Sequence, residues 1–106
     1  MKSFKYIPES IKSEKSSWEG YVLLKEVDFD SKCKVLEEIE DLKTLGQVRY
    51  LVKASKDFYL EVCLKKKDGS EEVKSFEEMA ETSSLHRALS DCAHQLFLRM
   101  DDSGNA

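Results

Sequence analysis

Residues 85–100, near the C-terminal end of the chain, read LHRALSDCAHQLFLRM. Their apolar side chains recur at spacings of three and four residues, which is the pattern of one face of an α-helix. This stripe consists of Leu85, Ala88, Leu89, Cys92, Leu96, Phe97 and Met100. Polar residues such as Arg87 and Asp91 fall on the opposite face, and Ser83 or Ser84 supplies the N-terminal cap. We therefore expect an amphipathic C-terminal helix that packs on a core.

Helical spacing also dominates the middle of the chain. A helix is expected to begin at Asp28 or Asp30, because either carboxylate can accept the free amides of a first turn. Its apolar stripe continues to Leu42, and Gly46 follows where a left-handed residue commonly ends a helix. The stripe consists of Phe29, Cys33, Val35, Leu36, Ile39 and Leu42.

A second stripe predicts one helix over residues 47–64. It comprises Val48, Leu51, Val52, Phe58, Tyr59, Val62 and Cys63. Ser55 interrupts this pattern, so that Ser55 and Asp57 could instead cap a second, shorter helix. Ser75 and Glu78 have the spacing of a capping box, which predicts a short helix that ends near Thr82.

Strand patterns are confined to shorter segments. Residues 2–7 alternate polar and apolar side chains, and residues 18–27 contain the apolar run from Tyr21 to Leu24. Residues 9–17 are polar and are expected to form a loop. Asp68 and Gly69 predict a turn at residues 67–70, followed by a brief extended segment at residues 71–74.

Together these patterns predict an α+β fold that is mainly helical, with three to four amphipathic helices and a small N-terminal β-hairpin or strand pair. The length of 106 residues suits one domain. We expect an N-terminal strand and polar arm at residues 1–17, a single globular domain at residues 18–100 and a disordered tail at residues 101–106.

Charge and composition exclude several classes of function. The chain is 36% charged with a formal net charge of −4, and its basic residues are interspersed with acids. Nucleic-acid binding requires a basic face, and the compact basic run Lys65-Lys66-Lys67 is followed at once by Asp68. No window approaches the ~20 apolar residues of a membrane span, and no signal peptide opens the chain. We therefore expect a cytoplasmic protein that binds neither nucleic acid nor membrane.

Catalytic and cofactor chemistry finds no support in the sequence. His86, Cys92 and His94 are the one cluster of metal-binding types, but their spacings of six and two share no helix face. All three cysteines, Cys33, Cys63 and Cys92, fall in apolar patterns, where a thiol is inert. Neither a nucleophile elbow nor a phosphate-binding glycine loop is present. We expect no enzyme activity, no cofactor and no metal.

Binding to another protein is the remaining expectation. Aromatic and Met side chains are enriched at protein interfaces. The candidate partner-binding residues are Trp18, Phe58, Tyr59, Phe97 and Met100. In the alternative interpretation these side chains simply form the core.

The order of predicted elements resembles that of small tail assembly chaperones of long-tailed bacteriophages. The resemblance covers residues 20–100 and is one of layout. It runs from the strand Gly20-Tyr21-Val22-Leu23-Leu24, through an acid-capped helix near Phe29 and a central helix through Val62, to the capped segment Ser75-Phe76-Glu77-Glu78-Met79 and the last helix. It implies a non-catalytic protein of the host cytoplasm that coats the apolar helical tape-measure protein and self-associates. A small inhibitor or adaptor of a host protein, and a minor virion structural subunit, are the alternatives.

Overall fold

The computed structural model describes residues 2–99 as a four-stranded antiparallel sheet combined with five α-helices. The strands are β1 (Ser3–Tyr6), β2 (Trp18–Lys25), β3 (Tyr59–Lys66) and β4 (Glu72–Val73), in the spatial order β1-β2-β3-β4. The helices are α1 (Glu9–Lys12), α2 (Phe29–Ile39), α3 (Thr44–Ser55), α4 (Phe76–Glu81) and α5 (His86–Phe97). Single 3-10 turns at Lys56–Phe58 and Ser83–Leu85 precede β3 and α5.

The prediction of a mainly helical fold with only an N-terminal strand pair is wrong. The described chain is 52% helical and 22% strand, and its sheet continues through β3 and β4 in the second half of the sequence. The predicted helix over residues 47–64 is in fact α3, a 3-10 turn and β3. Neither Ser55 nor Asp57 caps a second helix, because Ser55 is buried in the last turn of α3 and donates a 2.7 Å hydrogen bond to the carbonyl of Val52.

Side chains of β3 alternate with a period of two. Val62 and Leu64 are buried, whereas Glu61 and Lys65 are exposed. Val62 pairs with Val22 in the centre of the sheet. A bulge lies where Leu23 pairs with Glu61 and Leu24 pairs with Tyr59, so that Leu60 is the additional residue of β3 and is exposed.

Several local predictions are confirmed. Strands form within residues 2–7 and 18–27, and β4 lies within residues 71–74 after a turn at residues 67–70. The side chain of Asp28 caps α2 by accepting the amide of Ser31 at 3.2 Å. Ser75 caps α4 by accepting the amide of Glu78 at 3.1 Å.

Other local predictions are wrong. Residues 9–17 are not entirely loop, since Glu9–Lys12 form α1. Gly46 is not a left-handed cap, because α2 ends at Ile39 and Gly46 lies in the first turn of α3. Neither Ser83 nor Ser84 provides a side-chain cap for α5. The prediction of a tail at residues 101–106 concerns positions outside the described residues.

Helix α5 is the centre of the core. It packs against α1, α2, α3 and α4. Its buried side chains are Ala88, Leu89, Cys92, Ala93, Leu96 and Phe97. The sheet contributes to the core the buried side chains of one of its faces, namely Trp18, Val22, Leu24, Val62, Leu64 and Val73. Because strand side chains alternate between faces, the other face of the sheet is left toward solvent.

Hydrogen bonds to Asp91 hold the N-terminal segment against α5. The hydroxyl of Tyr6 donates to Asp91 Oδ1 at 2.9 Å, and the amide of Glu9 donates to Asp91 Oδ2 at 2.6 Å. Burial and this carboxylate raise the pKa of Tyr6 well above its ordinary value, which keeps the phenol protonated as a donor. Among residues 2–99, no helix combines the length and apolar composition needed to cross a membrane.

Candidate protein-binding surface

The described part of the chain contains no candidate metal centre. Residues 2–99 contain no group of three or more His, Cys, Asp or Glu placed to hold a metal ion. The ring of His86 donates to the carbonyl of Ala80 at 2.7 Å, and the ring of His94 donates to the carbonyl of Ser90 at 2.8 Å. Both imidazoles therefore bind backbone carbonyls near their own helix.

Cys92 lies in the core beside Tyr59. Burial raises the pKa of the Cys92 thiol to about 12, and burial likewise raises the pKa of Tyr59 far above its ordinary value. Since the thiolate is the reactive form of cysteine, Cys92 is inert at neutral pH. Cys33 and Cys63 are only half-buried, so the apolar surroundings expected for all three cysteines are confirmed for Cys92 alone.

The open face of the sheet carries a polar cluster over a shallow depression of about 660 Å³. The hydroxyl of Tyr21 and the thiol of Cys63 both donate to Glu61 Oε1, at 3.3 and 2.8 Å. Lys5 Nζ lies 4.5 Å from the centroid of the Tyr21 ring. The neighbouring Cys63, together with the negative charge of Glu61, raises the pKa of Tyr21 to about 12.

Charged side chains on this open face form ion pairs with one another. Lys65 pairs with Glu19 at 3.5 Å, and Lys74 pairs with Glu72 at 3.4 Å. Each contact is a surface ion pair, which contributes little to stability but neutralises the local field. The open face therefore has the character of an ordinary solvated sheet surface.

The helical hairpin α2–α3 presents apolar side chains to solvent. Leu45, in the first turn of α3, is 85% exposed, and Leu42, in the connection, is 40% exposed. Phe29, at the opposite end of α2, is 72% exposed. Val52 packs against the core two turns after Leu45, so the apolar stripe of α3 extends past the core at its N-terminal end.

We name residues 37–48 the hairpin tip. Its backbone is ordered by local hydrogen bonds: the carbonyl of Ile39 accepts the amide of Leu42 at 3.0 Å and the side-chain amide of Gln47 at 3.1 Å. Leu42 packs against Gly46, because a Cβ atom added at Gly46 would lie 3.5 Å from Leu42 Cβ. Leu42 thus projects from an ordered connection between two helices, and Leu45 projects from the first turn of α3.

Four acidic residues surround these leucines in sequence, namely Glu37, Glu38, Glu40 and Asp41. All four are exposed. The six ion pairs within residues 2–99 involve other acidic residues. The hairpin tip therefore combines exposed apolar side chains with carboxylates that have no ion-pair partner in the described chain.

The candidate partner-binding residues from the sequence lie elsewhere. Trp18 and Phe97 are 2% and 1% exposed and belong to the core. Phe58 packs edge-to-face on Phe97 with centroids 5.7 Å apart, and Tyr59 packs on Phe76 at 5.0 Å.

Met100 is outside the described residues, and partner contact by any of the five residues stays a prediction. The exposure of Leu42 and Leu45 had no clear signal in the sequence, because Leu42 continues the apolar stripe of α2 and Leu45 precedes an expected helix end.

Comparison with known proteins does not assign the chain to a family. No protein-family model matches the chain, and no curated protein and no solved structure is significantly similar to it.

Proposed function

We propose that the protein is a non-catalytic protein-binding factor that uses the hairpin tip to hold an apolar helical segment of its partner. The observation that carries this proposal is the exposure of Leu45 beside Leu42. Fully burying an exposed leucine side chain contributes about 1.5–3 kcal/mol, which Leu45 can supply nearly in full and Leu42 only in part. Apolar side chains grouped on an otherwise charged surface are typical of interaction sites.

The specific form of this role that we favour is that of a tail assembly chaperone acting in the host cytoplasm. Such a protein must cover apolar helices of a tape-measure protein and keep the complex dispersed. Exposed leucines supply the first property, and a chain that is 36% charged supplies the second. The resemblance in layout supports this form less than the leucines do, because the central helix through Val62 is replaced by α3 and β3.

Suppression of aggregation tests the proposal. A long amphipathic apolar helix, diluted from denaturant, should scatter less light in the presence of the protein. Leu45→Gln should remove most of this protection, because it deletes apolar surface without changing charge. Leu45 is almost fully exposed, so the variant should retain its fold.

Phe29→Gln is the matched control, because it deletes a comparably exposed apolar side chain at the other end of the 11-residue helix α2. At a rise of 1.5 Å per residue, this position lies about 12 Å from residue 37, where the hairpin tip begins. Equal protection by wild-type protein and Leu45→Gln would overturn the proposal. Equal loss in both variants would overturn the assignment to the hairpin tip.

A further inference from the structure

We infer that the segment held by the hairpin tip is a basic amphipathic helix. This inference rests on the proposed function and names the chemistry of its partner. Two properties of the tip carry it: the charge around the exposed leucines, and the helical rather than extended backbone of the segment that bears Leu45.

The charge of the hairpin tip is strongly one-sided. Residues 37–48 contain four carboxylates and one basic residue, Lys43, so −3 of the formal net charge of −4 resides there. The carboxylates have no ion-pair partner within residues 2–99, unlike Glu19 and Glu72 of the open sheet face. A partner with Lys or Arg beside its apolar side chains is attracted to this tip, whereas an acidic partner is repelled.

The backbone of the tip favours a helical partner. Leu42 donates its amide to Ile39, and Gln47 donates its amide to Lys43, so these groups are already used in the turn and the first turn of α3. An extended peptide that binds by strand addition needs free backbone groups along an edge. The tip instead offers side chains, and Leu45 and Val48 are neighbours on one helix face, which suits side-chain packing against a second helix.

Charge also argues against two other occupants. A second copy of this chain would present the same acidic tip, and two tips of charge −3 repel each other. Nucleic acid is excluded from this surface for the same reason, because its phosphates require cationic contacts. A basic helix is the occupant that both the leucines and the carboxylates accommodate.

The experiment compares three labelled peptides of ~18 residues, each an amphipathic helix of about five turns with the same leucine positions. Their polar positions carry Lys, Gln or Glu. We expect fluorescence anisotropy to show the Lys peptide binding at least ~10-fold more tightly than the Gln peptide, with the Glu peptide weakest. Raising the salt concentration from about 0.05 to 0.5 M should remove most of this preference by screening.

Matched variants locate the effect. The fourfold variant Glu37→Gln, Glu38→Gln, Glu40→Gln and Asp41→Asn should bind the Lys and Gln peptides about equally. The control variant Glu14→Gln, Glu26→Gln, Asp57→Asn and Glu81→Gln changes net charge by the same amount at exposed positions elsewhere and should keep the preference.

The outcomes separate this inference from the proposed function. Equal binding of the Lys and Gln peptides to wild-type protein, abolished by Leu45→Gln, would overturn the inference and leave the proposed function standing. Equal loss of preference in both fourfold variants would also overturn the inference, because the attraction would then come from net charge alone. If no peptide binds, or Leu45→Gln binds as tightly as wild type, the proposed function fails as well.

Discussion

The indole nitrogen of Trp18 donates a 2.9 Å hydrogen bond to the hydroxyl of Ser84, which lies 66 residues later in the chain. This bond joins the start of β2 to the 3-10 turn that precedes α5. The same indole ring has Lys66 Nζ 5.7 Å from its centroid. The only tryptophan of the sequence is thus part of the framework that connects the sheet to the C-terminal helix.

Removal of the Ser84 hydroxyl should lower the free energy of unfolding measurably. Ser84→Ala leaves the Trp18 nitrogen without its partner, and we expect the free energy of unfolding to fall by about 1 kcal/mol in denaturant titrations. Ser83→Ala, one residue earlier and exposed, should change it by less than about 0.5 kcal/mol. Equal effects of the two substitutions would contradict a specific role for the Trp18–Ser84 bond.

Removal of the hydroxyl should change stability in opposite directions at two tyrosines. The hydroxyl of Tyr59 is buried without a hydrogen-bond partner among the described residues, so Tyr59→Phe should raise the free energy of unfolding by about 1 kcal/mol. Tyr6→Phe removes the bond to Asp91 and should lower it by about 1 kcal/mol. Both changes can be measured by denaturant titration, and destabilisation by Tyr59→Phe would show that its hydroxyl has a partner after all.

Gly20 is required by a close approach of β2 to β3. Its φ is +125°, and an added Cβ would lie 1.9 Å from the carbonyl oxygen of Cys63. We expect Gly20→Ala to lower the free energy of unfolding by at least about 2–3 kcal/mol, because strained backbone is combined with a clash against the sheet. Gly69→Ala, at φ +79° with nothing within 4 Å, should cost only about 1 kcal/mol. Thermal unfolding of the two variants checks this order, and a larger loss at Gly69 would contradict it.

Stability should fall in alkaline solution because of Cys92. The unfolded thiol ionises near its ordinary pKa of 9.0, whereas the folded thiol has a pKa of about 12. Between these values the folded state holds a proton that the unfolded state has lost, so the free energy of unfolding decreases with rising pH by up to about 1.4 kcal/mol per pH unit.

Denaturant titrations from pH 8 to 10.5 test this dependence. The variant Cys92→Ala should be less stable at every pH but should show a shallower decline above pH 9. Tyr6 and Tyr59 act in the same direction above their ordinary pKa of 10.0 and are present in both proteins. Parallel pH profiles of the two proteins between pH 9 and 10 would rule out the Cys92 contribution.

Local signals in the sequence were sufficient for part of the fold. The period of the last apolar stripe predicts α5, and the continuous apolar run from Tyr21 to Leu24, which follows Gly20, predicts β2. Chemistry predicts an acidic cap at Asp28 or Asp30, and the structure selects Asp28. The capping box at Ser75 is only partly as predicted. Glu78 Oε1 accepts the amide of Lys74 at 3.1 Å instead of the amide of Ser75.

Long-range pairing was the part that sequence could not supply. Val62 and Cys63 fit a helical stripe that continues from Leu51, and only the pairing of Val62 with Val22 selects the strand. The candidate surface depends on the same information. Leu42 continues an apolar stripe and would be assigned to the core, but the core ends before the hairpin tip and leaves this side chain partly exposed.

The most direct test of the account is a map of the binding surface in solution. We would titrate ¹⁵N-labelled protein with the Lys peptide and follow the amide chemical shifts. If the hairpin tip is the binding surface, the changes concentrate at residues 37–48 and disappear in Leu45→Gln. Changes concentrated on the open sheet face around Tyr21 and Cys63, or shifts that persist in Leu45→Gln, would contradict it.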